Sequence, residues 1–234
     1  MDTPTWVLDE LTYAGSEHLD AAYVPHYDQK AGTDPTEDVA RLRDLGLKAT
    51  HTLVDLGAGT GTLALAAAPL CRRVIAVDVS PVMLSSLREK AAQEGIENIE
   101  CVQQGFLTYT HQGEPADFVY SRHALHHLSD FWKALALQRI ASILCIGGVL
   151  YLRDLIFSCE PHEINHIIDT WLAGASTHPD HGWTRSELEI HLHEEYSTFS
   201  WLLESMFEHA GFEIQHTQHD ALRVRSAYTC IKRR

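Results

Sequence analysis

The clearest chemical pattern in this sequence is a glycine-rich turn followed by a single acidic residue. The segment VDLGAGTG places glycine at positions 57, 59 and 61, and Asp78 lies 21 residues after Gly57. Glycine lets the backbone turn sharply and approach a ligand, and the following helix N-terminus offers free N–H groups to a carboxylate or phosphate. An acid at this distance suits ribose hydroxyls. The pattern therefore predicts a nucleotide-type site rather than a plain strand–helix turn.

The spacing of the glycines narrows the type of nucleotide. A dinucleotide fingerprint requires G-x-G-x-x-G/A, and the sixth position here is Thr62. A Walker loop requires G-x-x-x-x-G-K-[ST], and this turn contains no lysine. Both departures weaken the prediction of a dinucleotide or nucleoside triphosphate ligand.

Histidines supply candidates for proton transfer. His123, His126 and His127 follow a predicted strand, at the edge of the sheet where reacting groups are expected. A neutral imidazole can accept a proton from a substrate, so a histidine here can act as a general base. We take His123 as the first candidate, with an ordinary polar helix start as the alternative interpretation of the three.

A second histidine motif points to different chemistry. His162 to His166 reads HEINH, which matches the zinc-protease signature H-E-x-x-H, and Glu187 is the available third ligand. The following residues lack the G-x-x-H extension of metzincins. Pro161 and Glu163 also suit the first turn of a helix without any metal. A zinc hydrolase therefore stays as an alternative, and we expect no resident metal.

The alternation of short apolar runs with amphipathic runs predicts the elements that position these residues. Such alternation is typical of βαβ units and a parallel sheet covered on both faces. The final two strands are separated by a short connection, which permits only an antiparallel pair. The predicted strands are 52–56, 73–78, 98–103, 116–121, 148–155, 212–218 and 222–231, and the predicted helices cover 60–70, 80–94 and a segment beginning near 129, with an earlier helix starting at a capping box over 34–37.

These elements predict the fold class and the domain organisation. We expect an α/β fold: a doubly wound, seven-stranded, mostly parallel, Rossmann-like sheet with an antiparallel C-terminal hairpin. Residues 1–234 form a single domain. Residues 1–33 and the insertion 158–199, between strands five and six, are predicted lids, because segments added at the ends of a parallel sheet often cover a substrate.

Composition limits the partners and the location. The 234 residues carry 18 basic and 32 acidic side chains, a formal net charge of −14. This balance disfavours nucleic acid and anionic membranes, because both require a cationic surface. The sequence shows no apolar stretch long enough to span a bilayer and no export signal. Five scattered cysteines indicate reduced thiols, so we expect a cytoplasmic protein.

Four segments together resemble class I S-adenosylmethionine-dependent methyltransferases. VDLGAGTG is similar to the first motif of that family, VIAVDVS to the second, ADFVYSRHALHHL to the fourth-strand motif and CIGGVLYL to the fifth strand. The resemblance covers about residues 35–157 and the terminal hairpin. It implies S-adenosylmethionine as cofactor and transfer of its methyl group to an acceptor, which we expect to be a small molecule.

The resemblance also assigns the cofactor-binding residues. The methionine end of the cofactor is expected beside the glycine turn, its ribose at Asp78, and its sulfonium beside the end of the fourth strand. An aromatic residue of the N-terminal segment, Tyr27, is expected to contact it. The implied set is Tyr27, Asp55, Gly57, Ala58, Gly59, Gly61, Asp78, Val79, Gly105, Phe106, Leu107, Ser121 and Arg122.

One departure from the family concerns the adenine. The family usually places an aspartate just after the third strand to bind the adenine amine, and this chain has Gly105, Phe106 and Leu107 there. Phe106 can supply a backbone N–H but no carboxylate, and Gln104 and Thr108 are the nearby polar replacements. The missing acid keeps a non-catalytic cofactor-binding protein as an alternative. A nucleic-acid methyltransferase is disfavoured by the acidic charge.

Overall fold

The computed structural model describes residues 4–21, 23, 24, 30 and 34–234. Over these residues the chain forms a central sheet with helices on both faces. The strands are β1 (Thr52–Leu56), β2 (Arg73–Asp78), β3 (Ile99–Gln103), β4 (Ala116–Arg122), β5 (Leu144–Phe157), β6 (Thr198–Phe199), β7 (Phe212–His219) and β8 (Arg225–Lys232). The α-helices are α1 (Thr36–Asp44), α2 (Thr62–Ala67), α3 (Pro81–Glu94), α4 (Asp130–Ile143), α5 (Ile164–Ala173), α6 (Arg185–Glu194) and α7 (Ser200–His209).

The strand order confirms the predicted doubly wound sheet. The order is β3-β2-β1-β4-β5-β8-β7, and the strands from β3 to β5 are all parallel. β8 runs antiparallel to both β5 and β7, as the short final connection requires. The order reverses between β1 and β4, and in open parallel sheets the crevice outside the strand ends at this point is where ligands bind.

Burial on both faces explains the apolar character of the central strands. All five residues of β1 are buried. One core lies between the sheet and helices α4 and α7, with Leu137 and Phe207 fully buried in it. The opposite core packs α1, α2 and α3 against the sheet, with Leu42 and Leu84 at its centre. The sheet therefore packs between two apolar layers. The loops that follow the parallel strands lie together at one edge of the sheet.

Several predicted boundaries differ from the structure. The predicted helix 60–70 is a shorter α2 followed by a 3-10 turn at Ala68–Leu70, where Pro69 interrupts the α-helical bonding. β5 begins at Leu144 rather than at Gly148, because a register shift against β4 accommodates both glycines within the strand. α1 begins at Thr36 without a capping box, and β6 was not predicted because it is only two residues long.

The two predicted lid segments have contrasting structures. The N-terminal segment contains 3-10 turns at Glu10–Tyr13 and Ser16–Leu19. Residues 158–199 contain α5 and α6, whose apolar faces join a third cluster that includes Trp171 and Leu188. No helix among the described residues is long and apolar enough to cross a bilayer.

Candidate active site

A pocket lies at the carboxyl ends of β1, β2, β3 and β4, where the strand order reverses. Its empty space, counted together with the open mouth, is about 720 Å³. Its lining comes from the glycine turn, the loops after β2, β3 and β4, and the N-terminal turns. The lining residues are Glu10, Tyr13, Ala14, His18, Gly57, Gly59, Asp78, Val79, Met83, Gln104, Gly105, Phe106, Arg122, His123, Ala124, His127 and Leu128.

The glycines of the turn serve two different purposes. A Cβ at Gly57 would lie 2.3 Å from the Cβ of Ala124, and one at Gly61 would lie 2.0 Å from Cδ1 of Leu87. These two glycines therefore let the β4 loop and α3 pack against the turn. A Cβ at Gly59 would meet nothing within 4 Å, and Gly59 lines the pocket. Gly59 is the glycine that leaves backbone open to a ligand.

Asp78 links the second strand to the glycine turn. One carboxylate oxygen accepts the N–H of Gly59 and the other accepts the N–H of Ser80, both at 2.8 Å. Burial raises the pKa of Asp78, while these two hydrogen bonds lower it. Each oxygen keeps a second lone pair, so the carboxylate can also accept hydrogen bonds from ligand hydroxyls.

Asp55 lies behind the turn rather than in the pocket wall. It is 2% exposed on β1. Burial, together with the nearby charges of Asp78 and Asp38, raises the pKa of Asp55 to about 8. A carboxyl group that is protonated at neutral pH adds no further negative charge beside Asp78 and Asp38. This agrees with the position of Asp55 behind the pocket wall.

A glutamate from the N-terminal segment occupies the region where the family's adenine aspartate is missing. The Leu107 N–H donates to Oε2 of Glu10 at 2.9 Å. A Cβ at Gly105 would lie 2.4 Å from the Glu10 carboxyl carbon, so the glycine makes room for the carboxyl group. Burial raises the pKa of Glu10 to about 7. Sequence reasoning missed Glu10, because no motif connects it with a loop about a hundred residues away.

We predict that Glu10 makes stability depend on pH. Its folded-state pKa of about 7 lies above the ordinary value of 4.5, so the folded state holds its proton more tightly than the unfolded state. This stabilisation is present below about pH 4.5 and is lost as pH rises to about 7. The side chain of Glu10→Gln cannot titrate. Relative to the native chain, the free energy of unfolding of this variant should therefore rise by about 1–3 kcal/mol as the pH is raised from about 4.5 to about 7.5.

The measurement is urea unfolding of both proteins at the two pH values. Glu94→Gln, a substitution of an exposed residue at the end of α3, is the matched control and should track the native chain. The same stability difference between Glu10→Gln and the native chain at both pH values would contradict the burial argument for Glu10.

At the end of β4, Ser121 and Arg122 have different surroundings. The Ser121 hydroxyl donates to the Leu56 carbonyl at 2.8 Å and is buried, so it ties β4 to β1 behind the pocket. Arg122 lines the pocket, and its Nη1 donates to Oδ2 of Asp38 at 3.1 Å. Its Nε is buried without a hydrogen-bond partner among the described residues. Arg122 thus lines the pocket while one of its buried donors stays unpaired.

His123 combines a strained backbone with a buried, neutral ring. Its φ of +50° lies in the left-handed region, which is uncommon for a residue other than glycine. Its N–H donates to the Arg153 carbonyl at 2.9 Å. Burial lowers the pKa of His123 to about 3, although Asp154 opposes the shift. Within the described chain, the buried Nδ1 has no hydrogen-bond partner, and the residue itself lines the pocket.

The next two histidines separate in space. His127 lines the pocket, and burial lowers its pKa to about 3. His126 points away from the pocket: its Nδ1 lies 2.5 Å from Oδ1 of Asp154 and its Nε2 lies 2.9 Å from Oε2 of Glu195. These two carboxylates raise the pKa of His126 to about 9 against the opposing effect of burial. Adjacent histidines therefore have opposite charge preferences.

Most of the predicted site residues gather around this pocket. The predicted residues that line it are Gly57, Gly59, Asp78, Val79, Gly105, Phe106, Arg122 and His123. The predicted residues that lie behind its wall are Asp55, Ala58, Gly61, Leu107 and Ser121. Tyr27 lies outside the described residues. The turns that contribute Tyr13 and His18 carry no recognisable motif, so sequence reasoning placed only their segment at the site.

The residues of the H-E-x-x-H motif have structural partners. His162, in the 3-10 turn before α5, and His166, in the first turn of α5, are both exposed. Glu163 accepts the Glu160 N–H at 3.0 Å and the Arg223 guanidinium at 2.9 Å. The proposed third ligand, Glu187, caps α6 and pairs with Lys30. Glu163 thus takes the helix-capping position that the local pattern predicts.

The insertion is anchored beside the pocket without lining it. The Tyr196 N–H donates to the His126 carbonyl at 2.8 Å, and Glu195 contacts the His126 ring. Lys30 of the N-terminal segment pairs with Glu187 and lies over the Trp183 ring. None of the described lining residues comes from 158–199. Its action as a lid stays a prediction.

Comparison with known proteins agrees with the geometry. Residues 53–148 match the family described as a methyltransferase domain. An uncharacterized methyltransferase of Bacillus subtilis is 32% identical over 138 residues, which is 55% of this chain and 54% of that relative. The chain thus spans about half the length of this relative.

Solved structures share the fold. An S-adenosylmethionine-dependent methyltransferase from Clostridium acetobutylicum has a TM-score of 0.69 at 14% identity, over 91% of this chain and 98% of that one. Magnesium protoporphyrin IX methyltransferase from Synechocystis, with S-adenosylmethionine bound, has a TM-score of 0.66 at 14% identity, over 98% of this chain and 100% of that one.

Proposed function

We propose that this chain is a class I S-adenosylmethionine-dependent methyltransferase, that it methylates a small organic acceptor and that His123 is the general base. One observation carries the proposal. The pocket places Asp78 and Gly59 on one wall and the neutral ring of His123 on another. A nucleotide-type clamp and a proton acceptor therefore share one cavity.

The residues of the pocket suit the proposed position of the cofactor. Its two walls hold the carboxylates of Asp78 and Glu10, which can accept hydrogen bonds from the ribose hydroxyls and the adenine amine. The free Nε donor of Arg122 and the open backbone at Gly59 suit the amino-acid end. Glu10 would thus replace the aspartate that the third loop lacks.

The chemistry requires little from the protein besides positioning and proton removal. S-adenosylmethionine, when bound, supplies a methyl group on an already activated sulfonium. The chain orients the acceptor and excludes water from the pocket. An acceptor that carries a proton needs a base, and the free Nδ1 of His123 can take that proton.

A small acceptor agrees with the charge and shape of the site. The N-terminal turns cover the pocket from one side: the Ser80 hydroxyl donates to the His18 carbonyl at 2.6 Å. The formal net charge of −14 disfavours nucleic acid as acceptor. All five cysteines are free thiols, which supports the cytoplasmic location that we propose.

The test is a screen of small-molecule acceptors followed by kinetics of His123→Asn. Asparagine tolerates the left-handed backbone better than most residues, so the loop should be preserved. We expect kcat to fall about 100-fold, at the low end for general base catalysis because a strongly depressed pKa makes a weak base. Affinity for S-adenosylhomocysteine should change less than about threefold.

His209→Asn, on the exposed end of α7, is the matched control and should keep the native kcat. An unchanged kcat in His123→Asn would reject His123 as the base. Tight S-adenosylhomocysteine binding with no methylation of any acceptor class would favour the alternative, a non-catalytic cofactor-binding protein.

A further inference from the structure

We propose that His126, His127 and Glu195 bind one divalent transition-metal ion beside the pocket. Each of these residues offers one ligand atom, and the three atoms lie within 4.8 Å of one another. Ligands about 2.0–2.1 Å from a tetrahedral ion are about 3.4 Å apart, so shifts of about 1 Å or less in these side chains would complete the site. Two imidazoles and one carboxylate suit zinc and its neighbours in the first transition row.

A buried carboxylate orients the first ligand. Oδ1 of Asp154 holds Nδ1 of His126 at 2.5 Å, and Oδ2 accepts the His126 N–H at 3.1 Å. This contact turns Nε2 toward Glu195, 2.9 Å away. Metal-binding histidines almost always donate a hydrogen bond from their second ring N–H to such a group, which fixes the orientation of the ring and raises its basicity. Asp154 is 1% exposed and has the position of that outer partner.

Three separate elements converge to build the cluster. The two histidines lie on the 3-10 turn after β4, Asp154 lies on β5, and Glu195 follows α6. The Tyr196 N–H bond to the His126 carbonyl holds the Glu195 segment against this turn. His191 on α6 also contacts the Glu195 carboxylate. The fixed geometry distinguishes this cluster from an exposed group of acids.

The charges of the cluster suit a divalent ion. Neutral imidazoles with Glu195 and Asp154 supply two negative charges, which balance an ion of charge +2. The alternative is a proton on His126 that bridges the same two carboxylates without metal. A proton on Nε2 of His126 lets that ring donate a hydrogen bond to Glu195 but gives the ring of His127 no role. A metal ion would be bound by both rings.

The position of His127 connects the site to the methyl acceptor. His127 lines the pocket, so an ion held by its ring would border the space in which the acceptor binds. A metal ion lowers the pKa of a bound hydroxyl group, which complements the weak basicity of His123. The site therefore suits acceptors that present an oxygen ligand, such as a hydroxyl group. This last step rests on the proposed function, whereas metal binding does not.

The test is metal analysis and Zn²⁺ titration of the full chain, purified without an affinity tag. We expect one Zn²⁺ per chain. Asp154→Asn should lower Zn²⁺ affinity about 10- to 100-fold, and Glu195→Gln and His127→Asn should lower it further. Glu194→Gln and His193→Asn are matched controls on neighbouring exposed residues and should bind as the native chain does. His162→Ala should also leave the stoichiometry unchanged.

If a variant folds poorly, Co²⁺ absorption of the native chain provides a second measurement. A Co²⁺ ion with tetrahedral nitrogen and oxygen ligands gives intense visible bands. Absence of stoichiometric binding, or zinc lost only in His162→Ala, would overturn the proposal. A chain that binds S-adenosylhomocysteine but no metal would reject the metal site alone. A chain that binds metal but no S-adenosylhomocysteine would reject the proposed function alone.

Discussion

Replacing Asp78 with alanine is expected to weaken S-adenosylhomocysteine binding about 100- to 1000-fold. The carboxylate already accepts N–H groups from Gly59 and Ser80 and keeps one lone pair on each oxygen for the ribose. Hydrogen bonds to a charged acceptor contribute about 1.5–3 kcal/mol each, so losing two of them costs at least about 3 kcal/mol. A tenfold change in affinity corresponds to about 1.4 kcal/mol.

The measurement is calorimetric titration with S-adenosylhomocysteine, with thermal unfolding recorded for each protein. Asp169→Ala removes an exposed carboxylate on α5 and should bind as the native chain does. A variant that folds normally and keeps its affinity within about threefold would refute Asp78 as the ribose ligand. If Asp78→Ala loses both folding and binding, Asp78→Asn distinguishes the two causes. It keeps one acceptor for the backbone, so it should recover stability without recovering affinity.

Asp38→Ala should cause the largest loss of stability, about 3–5 kcal/mol. Asp38 on α1 is fully buried and accepts hydrogen bonds from the Tyr120 hydroxyl at 2.7 Å, Arg122 at 3.1 Å and Arg153 at 2.5 Å. One carboxylate thus compensates two guanidinium groups from adjacent strands. Removing one partner of a buried ion pair leaves an uncompensated charge, and that costs far more than losing a surface pair.

Urea unfolding measures this effect, with Asp44→Ala, an exposed residue of the same helix, as the control. The control should lose less than about 0.5 kcal/mol. Because Arg122 lines the pocket, Asp38→Ala should also weaken S-adenosylhomocysteine binding in the fraction that stays folded. A loss of stability below about 1 kcal/mol would show that the two arginines find other partners when Asp38 is removed.

The two variants separate the two uses of buried acids in this protein. Asp78 is predicted to act mainly on ligand affinity, since it faces the pocket. Asp38 is predicted to act mainly on stability, since it joins α1 to the ends of β4 and β5. The opposite result, a stable Asp38→Ala and an unfolded Asp78→Ala, would exchange these roles.

Local patterns along the chain were sufficient for the architecture. Apolar runs of strand length, a helix beginning at Ser80-Pro81 and the short final connection specify the parallel sheet and its antiparallel end, because each depends on residues close in sequence. The glycine turn and Asp78 were likewise readable, since backbone freedom and an acid at a strand end are local properties.

Contacts between distant segments determined the rest of the site. Glu10 meets Leu107 across 97 positions, and Asp38 meets Arg153 across 115. Glu195 reaches His126 from the other side of the insertion. Such encounters follow from how loops close over the sheet, and no spacing of residue types records them. The amino-acid sequence by itself was thus enough to predict the sheet and the glycine turn. Only the tertiary structure decided which acids and histidines meet, because burial and charge pairing depend on neighbours in space.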